Sequence, residues 1–120
     1  MDRTAVKERS RALAESLARE ALALKGERVR VLDVSELLYI TDFFVIVTSQ
    51  SPRQTRAIAA ALRAKAKELI GRPGTEEGGQ SSWVLCDFDV VVVHVLGVET
   101  REFYALDELW ADAEEITFAA

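Results

Sequence analysis

The spacing of apolar and polar positions predicts a helix at the start of the chain. Over residues 4–24, Val6, Leu13 and Leu17 fall on one stripe, with charged residues between them. This spacing is typical of an amphipathic helix with one buried face. Gly26 follows the last periodic position and is expected to end the helix.

Two strands are expected next. Residues 28–35 alternate apolar and charged side chains, as in a strand with one face in water. Residues 43–49 form a continuous apolar run rich in β-branched and aromatic side chains. Such a run favours an interior strand that is covered on both faces.

A second helix has a clear start signal. Ser51 can accept hydrogen bonds from the first turn, Pro52 suits the first helical position, and Gln54 can reach back to the cap residue. We predict a helix from Pro52 to about Ile70, followed by a mobile surface loop over residues 71–82. Its expected buried stripe consists of Ile58, Ala61, Leu62, Ala66, Leu69 and Ile70.

The remainder of the chain predicts a hairpin and a last helix. Residues 83–86 and 90–97 are two apolar runs separated by very few residues, which indicates paired strands. Thr100 can cap a helix over residues 101–115. Its expected inner stripe consists of Phe103, Leu106 and Trp110, and the tail is expected to fray or to pack through Phe118.

The order helix, strand, strand, helix, hairpin, helix predicts a mixed α/β fold. Helices should flank one central sheet, in a single domain over residues 1–120 with its core at about 4–112. The chain has 120 residues, 49% of them hydrophobic, which suffices for one core and argues against disorder.

The charge balance restricts the class of partner. A formal net charge of −5 repels a phosphate backbone and suits a basic protein. The first residues contain no apolar run of signal-peptide length, and no stretch is long enough to span a membrane, so we expect a cytoplasmic protein. The single cysteine, Cys86, lies between apolar neighbours and is predicted to be a core residue.

An Asp-x-Asp motif in the hairpin has two interpretations. On an extended strand, Asp87 and Asp89 would point to the same side and could share a Mg²⁺, as in nucleotidyl and phosphoryl transferases. However, on that extended strand His94 would have the opposite parity to Asp89 and could not complete the metal site from the same side. In addition, no glycine-containing phosphate loop precedes a helix. Because aspartate tolerates a left-handed backbone, turn formation is the favoured interpretation, with no metal or other cofactor.

Three other side chains could serve function or packing. His94 in a valine-rich strand is expected to be a hydrogen-bonded core residue rather than a catalytic one. Trp110 is expected in the core. Trp83 starts a strand beside the loop, and the sequence leaves open whether it lies at the core edge or forms an exposed anchor for a partner.

Several stretches together resemble the bacterial ribosomal silencing factor family, also called the iojap-like family. They include "LDVS" at 32–35, "ITDFFVIVTS" at 40–49, "SPRQ" at 51–54, "VVHV" around His94 and "REFYALDELW" at 101–110. Their order and spacing cover nearly the whole chain. The family's hairpin reads Asp-x-Gly-Asp after its tryptophan, so Asp87 matches the first aspartate, Asp89 falls on the turn glycine and Val90 on the second aspartate.

The resemblance implies a nucleotidyltransferase-like α/β fold without the catalytic set and a non-enzymatic role. Such factors bind the large ribosomal subunit through ribosomal protein L14, block joining of the small subunit when nutrients are scarce, and form homodimers. The implied partner-binding residues are Trp83 as apolar anchor, Asp87 and Asp89 as acidic contacts, and Arg101 and Tyr104 at the last helix, with Arg101 equally able to pair with Asp87.

Two alternatives stay open at this point. One is a metal-dependent transferase that uses Asp87 and Asp89. The other is a generic homodimerisation module in which the first helix or a sheet edge pairs with a second copy.

Overall fold

A sheet with helices on both faces is built from residues 3–119, the range that the computed structural model describes. Residues 1, 2 and 120 of the expected domain lie outside this range. None of the helices in this range combines the length and the hydrophobicity that a membrane span requires. In chain order the elements are α1 (Arg3–Ala23), β1 (Glu27–Asp33), β2 (Phe43–Ser49), α2 (Pro52–Ile70), β3 (Thr75–Glu77), β4 (Trp83–Asp87), β5 (Val91–Gly97), α3 (Val98–Tyr104), α4 (Leu106–Leu109) and β6 (Glu114–Ile116).

The mixed sheet confirms the predicted fold class. Over the described residues its strand order is β3-β4-β5-β2-β1-β6. The central strands β2 and β5 are parallel, whereas the other neighbours are antiparallel. All seven residues of β2 are buried, as its unbroken apolar run predicts.

Two apolar clusters lie on opposite faces of the sheet. The larger one lies under α1 and α2 and contains Leu17, Leu62 and Cys86, all fully buried. Each fully buried leucine there contributes about 2 kcal/mol to stability. Cys86 is the core residue that the sequence predicts, and burial raises the pKa of its thiol to about 12. On the other face, Leu106 of α4 packs against a smaller cluster that includes Ile46.

Helix α2 starts and stops as predicted, with one difference in its cap. The backbone N–H of Gln54 donates to Ser51 Oγ at 3.1 Å, and Gly71 ends the helix at a φ of 79°. The side chain of Gln54 accepts from the N–H of Gln50, one residue before the cap, at 2.6 Å. Leu69 and Ile70 were expected in the buried stripe, but both are exposed because the stripe ends at Ala66, one turn earlier.

The segment predicted as a loop contains a short edge strand. Residues Thr75–Glu77 pair antiparallel with β4, and all three are exposed. A three-residue strand with both faces in water has no apolar alternation, so the sequence pattern gives no sign of it.

The last helix is broken in two, contrary to the prediction. Ala105 has a left-handed φ of 48°, which separates α3 from the four-residue α4, and a strand follows. Thr100 lies inside α3 rather than at its cap, and its hydroxyl donates to Ser82 Oγ at 2.6 Å. Because the break reorients the chain, Phe103 leaves the expected inner stripe and is 81% exposed, whereas Leu106 stays buried.

The segment after α4 returns to the sheet. Ile116 on β6 is buried. The tail packs through Phe118 against the larger core cluster, which is one of the two arrangements that the sequence predicts. Strand β6 pairs with the outer edge of β1.

Candidate binding face

Helices α3 and α4 pack on one face of the sheet, and they leave part of this face uncovered along β4 and β5. Trp83, Leu85 and Asp87 alternate along β4 and therefore point to this face. Asp87 pairs with Val92 of β5, which is only partly buried. We call the surface formed by Trp83, Leu85, Val92, Phe103 and Tyr104 the aromatic face.

Exposed aromatic rings border the tryptophan. The ring centroids of Trp83 and Tyr104 are 5.0 Å apart, and those of Tyr104 and Phe103 are also 5.0 Å apart. Phe103 is 81% exposed and Tyr104 53%, so both rings are accessible to a partner. A groove of about 530 Å³ runs between these rings, Ser82 and Thr100. Exposed aromatic groups beside a groove are typical of protein contact sites.

Trp83 connects this surface to the core. Its indole N–H donates to His94 Nδ1 at 3.1 Å. The His94 ring lies edge-on to Phe44 at a centroid distance of 4.7 Å, and Phe44 meets Trp110 at 5.0 Å. Trp83 is half-buried, so it lies at the core edge and also reaches the surface. Trp110 packs against the smaller cluster but is only partly buried, so it lies at the edge of the core in which it was predicted.

His94 is a hydrogen-bonded core residue, as predicted. It is 7% exposed, and burial lowers the pKa of its imidazole to about 4. The side chain is therefore neutral at physiological pH.

The turn between β4 and β5 explains the Asp-x-Asp motif. Asp89 has a left-handed φ of 73°, and its backbone N–H donates to Asp87 Oδ1 at 2.8 Å. This bond is the local Asp side-chain-to-backbone contact that stabilises tight turns. The turn interpretation is confirmed. Among residues 3–119, no three side chains of the types that bind metals come together.

Arg101 lies inside the molecule, which corrects its predicted role as a surface contact or a partner of Asp87. Its guanidinium makes two hydrogen bonds to the Asp107 carboxylate, at 2.8 and 2.9 Å. It also donates to the backbone oxygen of Arg28 and to Thr48 Oγ1. Because Arg101 is 1% exposed, its side chain cannot reach a partner directly.

Asp107 holds this network together. Hydrogen bonds from Arg101 and then from Arg30 keep the pKa of its carboxyl far below the ordinary range. Arg30 also bonds Glu115 at 2.8 Å, so the ion pairs connect α4, β1 and β6. The network fixes the broken helix that carries Phe103 and Tyr104.

Carboxylates lie beside the aromatic face, with Glu77 opposite Leu85 across β3 and β4 and Glu99 lining the groove next to Phe103 and Tyr104. After Arg72 the sequence holds eleven acidic residues and a single Lys or Arg, the buried Arg101. Glu77 pairs with Leu85 across β3 and β4 and so shares its face. The exposed acidic residues nearby on the chain are Glu77, Asp87, Asp89, Glu99, Glu102 and Glu108.

Of the residues singled out from the sequence, the structure brings Trp83 and Tyr104 into contact. Asp87 lies four residues along the strand from Trp83, roughly 13 Å away, and Asp89 lies beyond it. Sequence reasoning missed Leu85 and Val92. The alternation of Trp83, Leu85 and Asp87 was a signal that could have placed Leu85 on this face.

Comparisons with known proteins identify relatives over nearly the whole chain. The family described as "Ribosomal silencing factor during starvation" matches residues 7–120. The chloroplastic Iojap protein of Zea mays is 37% identical over 103 residues, 86% of this chain but only 45% of that protein. The ribosomal silencing factor of Halalkalibacterium halodurans is 39% identical over 93 residues, 77% of this chain and 80% of that protein.

A solved structure has the same fold. The crystal structure of a protein from Chromobacterium violaceum superposes with a TM-score of 0.70 at 34% identity, covering 89% of this chain and 90% of the other.

Proposed function

This chain belongs to the ribosomal silencing factor family, and from that premise we propose that it is a translational repressor of the large ribosomal subunit. It docks on ribosomal protein L14 and sterically prevents the small subunit from joining, chiefly when nutrients are limiting. Its place of action is the compartment that holds its ribosomes, which in a bacterium is the cytoplasm.

The aromatic face is the observation that supports this proposal most strongly. Exposed Tyr104 contacts the half-buried Trp83 and the exposed Phe103, and Glu77 and Glu99 lie beside this surface. Tryptophan and tyrosine are enriched among the residues that carry binding energy at protein interfaces. The acidic border complements a basic surface, which is the usual character of ribosomal proteins and steers association.

The proposed role is a binding role and uses no catalytic group. A bound body with dimensions of 41 × 32 × 26 Å would occupy the space that a joining subunit needs. Trp83 and Tyr104 are the proposed apolar contacts, and Asp87 and Asp89 the proposed acidic contacts farther along the hairpin. Arg101 acts indirectly, through the helix that it anchors.

Homodimerisation is a second part of the proposal. Tyr39 and Ile40, on the connector between β1 and β2, are largely exposed and form a separate apolar patch. We propose that two copies of the chain associate through this patch. Size-exclusion chromatography with light scattering should then show a dimer at high protein concentration, and Ile40→Asp should weaken the dimer. A wild-type protein that stays monomeric at every concentration would remove the dimer.

Sedimentation tests the central proposal. Purified protein mixed with separated ribosomal subunits should travel with the large subunit in a sucrose gradient and should bind isolated L14. Trp83→Ala should weaken this binding roughly 30-fold, as for a residue at an interface centre. Leu69→Ala, which truncates an exposed apolar residue on α2, is the matched control and should bind normally. A wild-type protein that stays at the top of the gradient would contradict the proposal.

A further inference from the structure

The indole of Trp83 is held from beneath by one polar contact. An indole N–H can donate but cannot accept a hydrogen bond. In this chain it donates to His94 Nδ1, while the ring contacts Tyr104 on its exposed side. The indole therefore lies between the buried His94 and the exposed Tyr104.

This bond requires one protonation state of His94. Because Trp83 is the donor, Nδ1 must carry a lone pair, and the proton of the neutral ring must sit on Nε2. An imidazolium has no acceptor and could not make the bond. The Nε2 atom is buried and finds no hydrogen-bond partner among the described residues.

Within residues 3–119, the Nε2–H group of His94 is buried without a hydrogen-bond partner, which costs free energy of folding. The surroundings of His94 would also accept an apolar ring. Its strand neighbours are Leu85 on β4 and Ile46 on β2, and its ring contacts are with Phe44 and Trp83. None of these residues carries a charge that would favour histidine. Packing alone therefore does not explain a histidine here, whereas the bond to Trp83 does.

We propose that His94 is a positioning residue of the aromatic face: its Nδ1 fixes the orientation in which Trp83 meets the partner. The inference rests on the proposed function, because it concerns the same surface. His94 itself touches no partner, since it is 7% exposed and lies beneath Trp83.

Two variants separate hydrogen bonding from packing. His94→Phe keeps a flat ring but has no acceptor. His94→Asn places an acceptor oxygen close to the position of Nδ1. The indole N–H signal of Trp83 in a ¹⁵N–¹H spectrum, assigned by comparison with Trp110→Phe, reports the hydrogen bond independently of any ribosome.

We expect His94→Phe to shift the Trp83 N–H signal toward that of a free indole and to weaken large-subunit binding about tenfold. His94→Asn should recover most of both. If His94→Phe does not fold, β-(3-benzothienyl)alanine at position 83 tests the same bond from the other side, because it keeps the shape of tryptophan without the N–H. The benzothienyl variant should weaken large-subunit binding about tenfold, as removal of the His94 acceptor is expected to do.

Two results would overturn the inference. One is an N–H signal at position 83 that is the same in the wild type and in His94→Phe. The other is full binding by His94→Phe or by the benzothienyl variant while the wild type binds normally. Failure of the wild type itself to bind large subunits would instead remove the proposed function, and the docking role of His94 with it.

Discussion

The backbone angle of Asp89 decides between the two interpretations of the Asp-x-Asp motif, a metal site or a turn. At a φ of 73° Asp89 directs the chain into the turn, and Asp87 caps that turn with its carboxylate. The sequence could predict this because aspartate is among the few residues that tolerate a left-handed backbone. It could not predict the bond between Trp83 and His94, since the two residues lie on different strands and the strand register decides whether they meet.

Substitutions at Asp89 should follow its backbone angle. Asp89→Gly should leave stability unchanged or raise it by up to about 1 kcal/mol, because glycine adopts a positive φ without steric cost. Asp89→Val should lower it by about 1–2 kcal/mol, since a β-branched side chain is strained there. Urea unfolding of both variants measures the difference. Equal stability of the two would contradict a left-handed turn at this position.

His94 should make stability depend on pH in a defined window. The folded pKa, about 4, lies below the ordinary value of 6.5, so between these values the unfolded chain binds a proton that the folded chain does not. The free energy of unfolding should therefore fall as the pH is lowered from about 6.5 toward 4, by about 2 kcal/mol at pH 4.5. Asp107, with a pKa below its ordinary 3.8, loses its contribution only below this window.

His94→Asn is the control for this pH dependence, because asparagine does not titrate. Urea unfolding at pH 7, 5.5 and 4.5 should show a flatter profile for the variant. Parallel profiles for the variant and the wild type would exclude His94 as the source.

At the scale of elements, the C-terminal segment shows where a sequence pattern stops being informative. The spacing of Phe103, Leu106 and Trp110 fits one helix, yet Ala105 breaks it at a φ of 48°. Alanine favours helix and gives no signal of a break. The break is accompanied by tertiary contacts, since Asp107 in α4 binds Arg101 in α3 and Arg30 in β1. By contrast, α2 was predictable from its own cap residues.

Breaking this network should loosen the element that carries the aromatic rings. Asp107→Asn leaves the buried Arg101 guanidinium without its counter-charge and should cost about 3 kcal/mol in thermal or urea unfolding. Glu115→Gln removes a half-exposed partner of Arg30 and should cost less than about 1 kcal/mol. A smaller loss for Asp107→Asn than for Glu115→Gln would contradict the anchoring role of the buried pair.

Over the whole molecule, the net charge of −5 conceals an uneven distribution. Up to Arg72 the sequence has fourteen Lys and Arg residues and nine acidic ones, and after it a single Arg and eleven acidic residues. The aromatic face belongs to the acidic part. Composition alone predicted a basic partner, but only the fold shows that acidic and aromatic groups share one surface.

Association should therefore depend on salt and on Asp87. Raising the salt concentration should slow binding to the large subunit, because screening weakens the attraction between unlike charges. Asp87→Asn removes one charge but retains the oxygen that caps the turn, and should reduce the association rate a few-fold. Glu68→Gln on α2 is the matched control and should bind at the wild-type rate. Surface plasmon resonance with immobilised large subunits provides the rates, and salt-independent binding would argue against an acidic interface.

The most direct measurement is subunit joining followed by light scattering. Large subunits incubated with the protein and then mixed with small subunits should give a reduced association signal, and Trp83→Ala should restore it at the same concentration. A full signal with the wild-type protein, at concentrations where it sediments with the large subunit, would contradict the proposal that its bound bulk prevents joining.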